Sequence, residues 1–244
     1  MTHASARIAL VTGANKGLGF EVARQIGKTG AVVLVGARNA VLGEAATATL
    51  QADGIDARFV HIDLADPATI TDAAKAIDHD HGRLDVLVNN AGISDRADGP
   101  PSTATMDAVR RVFETNFFGT LAVTQAMLPL LRKSASARIV NVASGLGSLA
   151  LNGDPAWEFA HVKRMGYNGS KAALNMLTVQ LAAELQSSGI KVNSADPGFT
   201  ATDLNGHRGH QTVPEGAAAT IRLALLPDDG PTGGFFSATQ PEPW

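Results

Sequence analysis

Six short apolar runs recur along the chain, at residues 8–11, 31–35, 58–62, 84–88, 138–142 and 190–195, and each is continuous rather than alternating. A strand with one wet face alternates polar and apolar side chains, whereas a strand buried on both faces has no reason to. The intervals carry segments of helical period, at residues 18–28, 40–52, 67–81, 106–132 and 167–187. Neighbouring parallel strands need a long crossover, which these segments supply. The alternation therefore predicts an α/β fold, a doubly wound parallel sheet with helices on both faces. With no composition shift, repeat or low-complexity tract in 244 residues, one domain spanning 1–244 is expected. The Pro- and Gly-rich stretches at 98–101 and 227–234 are short enough to be loops.

Ligands of such sheets sit outside the carboxyl ends of the strands, so the residues that follow each run are the informative ones. After the first comes Thr12-Gly13-Ala14-Asn15-Lys16-Gly17-Leu18-Gly19. Three glycines at these spacings allow a tight reversal, close approach of backbone to an anion, and close packing of the helix that follows. Free backbone N–H groups and the positive end of that helix, roughly half a charge, favour a phosphate or pyrophosphate. A triphosphate-hydrolysing loop requires Gly-Lys-Ser or Gly-Lys-Thr at its end, and Gly17 is followed by Leu18. After the second run Arg38 stands where a carboxylate would hold the ribose of NAD, and a cation there suits the 2'-phosphate of NADP. Lys16 adds a second cation, so NADP(H) is the expected coenzyme. Asp63 and Leu64 follow the third run; Asp63 either accepts from an adenine amino group or caps the helix near Pro67. Asn89, Asn90, Ala91 and Gly92 follow the fourth, the amides tying loops together and Gly92 leaving room for a ribose.

A formal charge of -3 with scattered Lys and Arg presents no basic face for nucleic acid or anionic lipid, which leaves a small molecule as the partner. No cysteine is present, excluding disulfides, thiolate nucleophiles and cysteine-bound metals. Residues 1–6 are too short for an export signal and no stretch approaches ~18 apolar residues, so a cytoplasmic protein is expected. His207 and His210 have a spacing that a metal could use, but only Asp203 stands nearby, and they are read as loop histidines. The same reading is given to His161.

Tyr167 is the only tyrosine, and Lys171 follows it by one helical turn on the same face. A free phenol titrates near ~10; an ammonium beside it would bring it toward the working range. Ser144, just past the fifth run, belongs at the same sheet edge, ready to hold a carbonyl oxygen as charge builds on it.

Taken with the glycine turn, this set resembles the short-chain dehydrogenase/reductase family over nearly the whole chain. The resemblance rests on Thr12-Gly13-x-x-x-Gly17-x-Gly19, Asn89-Asn90-Ala91-Gly92, Asn116, Ser144, Tyr167-x-x-x-Lys171 and Pro197-Gly198, in that order. It implies a Rossmann-type sheet of about seven strands in the order 3-2-1-4-5-6-7, the last beginning near Gly233. It also implies hydride transfer between nicotinamide and a carbonyl or alcohol carbon, with Tyr167 trading the proton and Ser144 orienting the substrate oxygen. Asn116 would hold a water joining Lys171 to solvent, and Pro197, Gly198, Thr200 and Thr202 would run along the nicotinamide and diphosphate. Gly13, Asn15, Lys16, Gly17, Leu18, Gly19, Arg38, Asp63, Leu64, Asn90, Ala91, Gly92, Tyr167 and Lys171 complete the expected coenzyme set.

One departure stands out: Ser144 and Tyr167 lie 23 positions apart, more than is usual in the family. The surplus falls within 152–165, which holds Trp157, Phe159 and His161, and resembles the insertion of NADPH-dependent carbonyl reductases. It is expected to wall the substrate pocket and to oppose the helix pairing through which a homo-oligomer would form. Residues 200–212 are expected to cover the substrate. The function expected is reduction of a ketone, aldehyde or quinone; the alternative is a non-catalytic NADP(H)-binding module that senses redox state.

Overall fold

In the computed structural model, which describes residues 6–244, seven parallel strands form one sheet. Residues 1–5, part of the opening read above as too short for export, lie outside the described residues. The strands are β1 (Ile8–Thr12), β2 (Val32–Ala37), β3 (Ala57–His61), β4 (Val86–Asn89), β5 (Arg138–Val142), β6 (Lys191–Ala195) and β7 (Phe235–Phe236). Their order, β3-β2-β1-β4-β5-β6-β7, is the expected one. Registers such as Leu10↔Leu34, Leu10↔Leu87 and Ile139↔Val192 stack large apolar residues across the middle of the sheet.

The continuous apolar runs find their reason in the layers, because successive side chains point to opposite faces. Leu10, Leu34, Leu87 and Ile139 face one layer, with α3 (Pro67–His81), α5 (Thr120–Leu131) and α7 (Met165–Glu184). Val11, Val33, Val88 and Val140 face the other, with α1 (Gly17–Gly27), α2 (Ala40–Ala52) and α8 (Val213–Ala224). β1, β2, β4 and β5 are buried throughout, while β3, at the sheet edge, is partly exposed.

Two differences from the sequence reading bear on the site. The segment 106–132 is not one helix: α4 (Met106–Phe113) passes into a π-helical stretch, Glu114–Gly119, before α5 begins. Gly119 explains the break, since a Cβ there would overlap the Leu64 carbonyl oxygen, so the chain must seat this residue directly against the exit of β3. The second difference is α8, which the periodicity reading passes over. Its start is nonetheless written in Thr212-Val213-Pro214-Glu215: the Thr212 hydroxyl accepts from the Glu215 N–H at 3.4 Å and Glu215 Oε2 accepts from the Thr212 N–H at 2.7 Å. A short helix, α6 (Leu149–Gly153), follows the loop after β5.

Candidate functional site

The turn between β1 and α1 holds the shape its glycines predict. Gly13 and Gly17 take positive φ, 65° and 56°, and a Cβ on Gly19 would overlap the Asn90 side-chain amide. That amide donates to the carbonyls of Thr12 (2.9 Å) and Gly13 (3.3 Å). Thr12 Oγ1 accepts in return from the N–H groups of Asn90 (3.0 Å) and Ala91 (3.1 Å). Asn90 thus fixes the turn from behind. Asn89 ties inward instead, donating to Thr124 Oγ1 and Asn141 Oδ1. No side chain caps α1 and no acidic residue occupies its first turn, so its leading N–H groups remain open to an anion. Arg38, exposed just past β2, has no carboxylate partner among the described residues. Glycine cradle, uncapped helix start and unpaired arginine together fit a dinucleotide with an added phosphate.

Lys16 is differently placed than its sequence position suggested. Its Nζ lies 2.5 Å from Asp203 Oδ2, and Asp203 Oδ1 lies 2.7 Å from His207 Nε2, so residues 200–212 are clasped to the phosphate turn. The ion pairs hold the Asp203 carboxyl below its usual range, through Lys16 first and His207 second. His207 is tied here, with φ 59°, while His210 packs on Phe199 at 5.9 Å between ring centroids. Within this loop Thr202 faces the turn, its methyl 3.9 Å from where a Cβ on Gly17 would stand. Thr200 is buried and its hydroxyl donates to Pro197 O at 2.8 Å. Asp63 does not cap α3 either: it accepts from Ala65 N, and Asp66 is the cap, accepting from Ala68 N.

Ser144, Tyr167, Lys171 and Asn116 converge on the same edge. The loop after β5 is pressed onto α7, since a Cβ on Gly147 would stand 2.7 Å from the Lys171 carbonyl carbon. The Ser144 hydroxyl is near enough to the Tyr167 phenol to favour its ionised form, and its Oγ accepts from Leu146 N at 3.2 Å. The first turn of α7 is capped from a distance: Asp98 accepts from the N–H groups of Gly166 (2.8 Å) and Tyr167 (2.9 Å). Lys171 is buried, donates to Val142 O at 2.7 Å and lies 5.8 Å from the centre of the Tyr167 ring. A Cβ on Gly92 would touch both Lys171 Nζ (3.5 Å) and Asn116 Oδ1 (3.4 Å), which brings the β4 exit into the same cluster. Asn116, carried on the π-helical stretch, accepts from Ile93 N (2.8 Å) and donates to Ile93 O (3.0 Å) and Ser170 Oγ (3.1 Å). Both of its amide hydrogens are engaged, and one lone pair on Oδ1 remains free.

The electrostatics correct one expectation. Burial, then the neighbouring Asp196, push the Tyr167 phenol up to about 12, against the lowering influence of the Ser144 hydroxyl. Burial also brings Lys171 down to about 8. The ammonium is turned to a carbonyl and lies beside the ring, so the protein's own groups keep the phenol protonated instead of easing its ionisation.

Two residues escaped the sequence reading. Asp98 acts through backbone N–H groups nearly seventy positions away, which no spacing rule detects. Asp196, at the exit of β6, was legible as a carboxylate directly before Pro197-Gly198 and was passed over for its neighbours. The insertion gives a tier of aromatic rings, Trp157 on Phe159 and Phe159 on Phe199, each at 5.6 Å between centroids; His161 is exposed.

Comparison with known proteins gives a consistent picture. The family model for short chain dehydrogenase matches residues 7–212. A short-chain dehydrogenase from Penicillium roqueforti is 40% identical over 223 residues, covering 89% of this chain and 88% of that protein. A mouse (Mus musculus) carbonyl reductase [NADPH] 3 is 35% identical over 91% of this chain and 92% of its own. The crystal structure of NADPH-bound carbonyl reductase from chicken fatty liver superposes with a TM-score of 0.85 at 28% identity, covering 98% of this chain and 99% of the other.

Proposed function

Because the chain belongs to the short-chain dehydrogenase/reductase family, we propose that it reduces a ketone, aldehyde or quinone, with Tyr167 as proton donor and Ser144 as orienter of the substrate oxygen. It is an oxidoreductase exchanging hydride between NADP(H) and a carbonyl or alcohol. The observation that carries the reading is the buried Lys171 ammonium 5.8 Å from the centre of the Tyr167 ring, with the Ser144 hydroxyl beside the phenol. When bound, NADPH supplies the hydride. The turn from Gly13 to Gly19 would hold its diphosphate, and Arg38, with Lys16 once freed from Asp203, would hold the 2'-phosphate. Asp63 and Leu64 would hold the adenine, Ala91 and Gly92 the ribose, and Pro197, Gly198 and Thr202 the nicotinamide end. Ser144 donates to the carbonyl oxygen as negative charge accumulates there. Tyr167, protonated at neutral pH, then gives its proton to the nascent alkoxide, a far stronger base than phenolate. Lys171 gives a proton back to the phenolate and, left as the neutral amine, regains one from solvent by way of the Asn116 region. The aromatic insertion 152–165 and the loop 200–212 wall and cover the substrate within a single domain. A cytoplasmic setting goes with this reading; no helix among the described residues is long and apolar enough to cross a membrane.

Tyr167→Phe removes the transferable proton and nothing else of size. Turnover of a carbonyl panel is expected to fall by roughly 10²-fold or more while NADPH affinity, measured by fluorescence titration, is kept. Retained turnover would sink the role. The raised phenol also sets a direction: reduction uses the protonated form and is favoured at neutral pH, whereas alcohol oxidation needs the phenolate and gains as pH rises. A pH–rate profile in both directions reads this.

A further inference from the structure

Asp196 is a half-buried carboxyl for which the reaction above has no task. Its Oδ1 accepts from Gly198 N at 3.0 Å, and the backbone of Gly145 lies close enough to favour its ionised form. Gly145 adjoins Ser144, and a Cβ on it would stand 3.1 Å from Asp196 Oδ2 and 3.2 Å from Trp157 Cζ2. Carboxylate and indole thus meet over the residue next to Ser144. From Trp157 the aromatic tier runs on through Phe159 to Phe199, with rings crossing at 78° and 60°.

No Lys or Arg among the described residues pairs with this carboxylate; the charge that bears on it from the C-terminal tail is another acid, Glu242. The Gly198 N–H aims it and leaves lone pairs free on both oxygens. Its charge works against the nearby phenolate. A neutral hydroxyl docking there would use a lone pair but leave that charge standing. A cation would use the lone pair, cancel the charge and lie against aromatic rings, whose faces attract it. We propose that Asp196 and the rings of Trp157, Phe159 and Phe199 form a subsite for a protonated amine carried by the carbonyl substrate. The inference rests on the carbonyl-reductase reading and adds the substrate's second functional group.

The test compares β-dimethylaminopropiophenone, its carbon isostere with CH in place of the ammonium N–H, and an analogue bearing a hydroxyl there, with NADPH, in the wild-type protein, Asp196→Asn and Trp157→Leu. The wild type is expected to favour the amine over the isostere in kcat/KM by about tenfold or more. Asp196→Asn keeps an acceptor for the Gly198 N–H and is expected to erase that preference, the isostere falling far less than the amine; Trp157→Leu reduces it. No preference in the wild type, a preference that survives Asp196→Asn, equal loss on all three ketones, or an equal preference for the hydroxyl analogue overturns the proposal. If no ketone is turned over, calorimetric titration of the NADPH-loaded protein with dimethylbenzylamine decides: binding lost in Asp196→Asn upholds the subsite while the reductase reading falls, and absence of binding overturns the subsite as well.

Discussion

Lys171 carries an ammonium into a place where no carboxylate among the described residues meets it and where it donates to the Val142 carbonyl. The cost is visible in its titration, brought by burial from 10.5 down to about 8. The unfolded chain keeps its proton between these values and the folded one does not, so the penalty is complete below about 8 and is relieved as pH rises toward 10.5. Tyr167 acts oppositely: its folded pKa is raised, so its contribution is complete below 10.0 and is lost as pH climbs through about 12. Stability should therefore rise from about pH 8 to about pH 10 and then decline. Lys171→Met, which removes the buried charge, should raise the melting temperature at pH 7, by an amount corresponding to at most roughly 3 kcal/mol, and flatten the rise, while turnover is lost. Thermal melts over the pH range check both. At this scale Ser144, Tyr167 and Lys171 were readable because residue type and spacing state their chemistry. The direction of the phenol's shift was not, since it is set by burial and by Asp196, neither of which neighbours Tyr167 in sequence.

Elements bring these residues together, and the least regular one matters most. The π-helical stretch places Asn116 against Ile93 and Ser170 while Gly119 rides on Leu64. A methyl group at Gly119 would force this stretch away from the β3 exit. Gly119→Ala is expected to cost ~1–3 kcal/mol and to weaken NADPH binding with it, because Leu64 flanks the proposed adenine site; scanning fluorimetry and NADPH titration give the two readings. Unchanged affinity in a destabilised variant would separate Leu64 from the coenzyme. Apolar periodicity could not reveal this stretch, as α4, the π turn and α5 together imitate a single long helix. By contrast, α8 was legible at its start and was missed because its small residues, Gly216 to Ala219, give little hydrophobic rhythm. The clasp between α1's threshold and residues 200–212 was likewise unreadable: Lys16 and Asp203 are 187 positions apart.

Over the whole molecule, the parallel direction of the strands followed from the apolar runs, because every buried run had to be covered on two faces and helices of matching length stood between them; their order was implied by the family resemblance and is the one observed. Coenzyme choice is also a property of the assembled sheet, where the ends of β1 and β2 lie side by side, Thr12 against Gly36. Replacing both Arg38 and Lys16 by Ala is expected to weaken NADPH far more than NADH, and equal losses in steady-state KM would show these cations to be elsewhere engaged. Finally, the chain contains a single tyrosine. Its ionised form absorbs in the near ultraviolet where the neutral phenol does not, so an alkaline spectrophotometric titration of the unlabelled protein observes Tyr167 alone. In the native state the transition should centre near 12, and in denaturant near 10.0, with no absorbance step in Tyr167→Phe. The protein thus carries its own optical gauge of the proton on which its proposed chemistry turns.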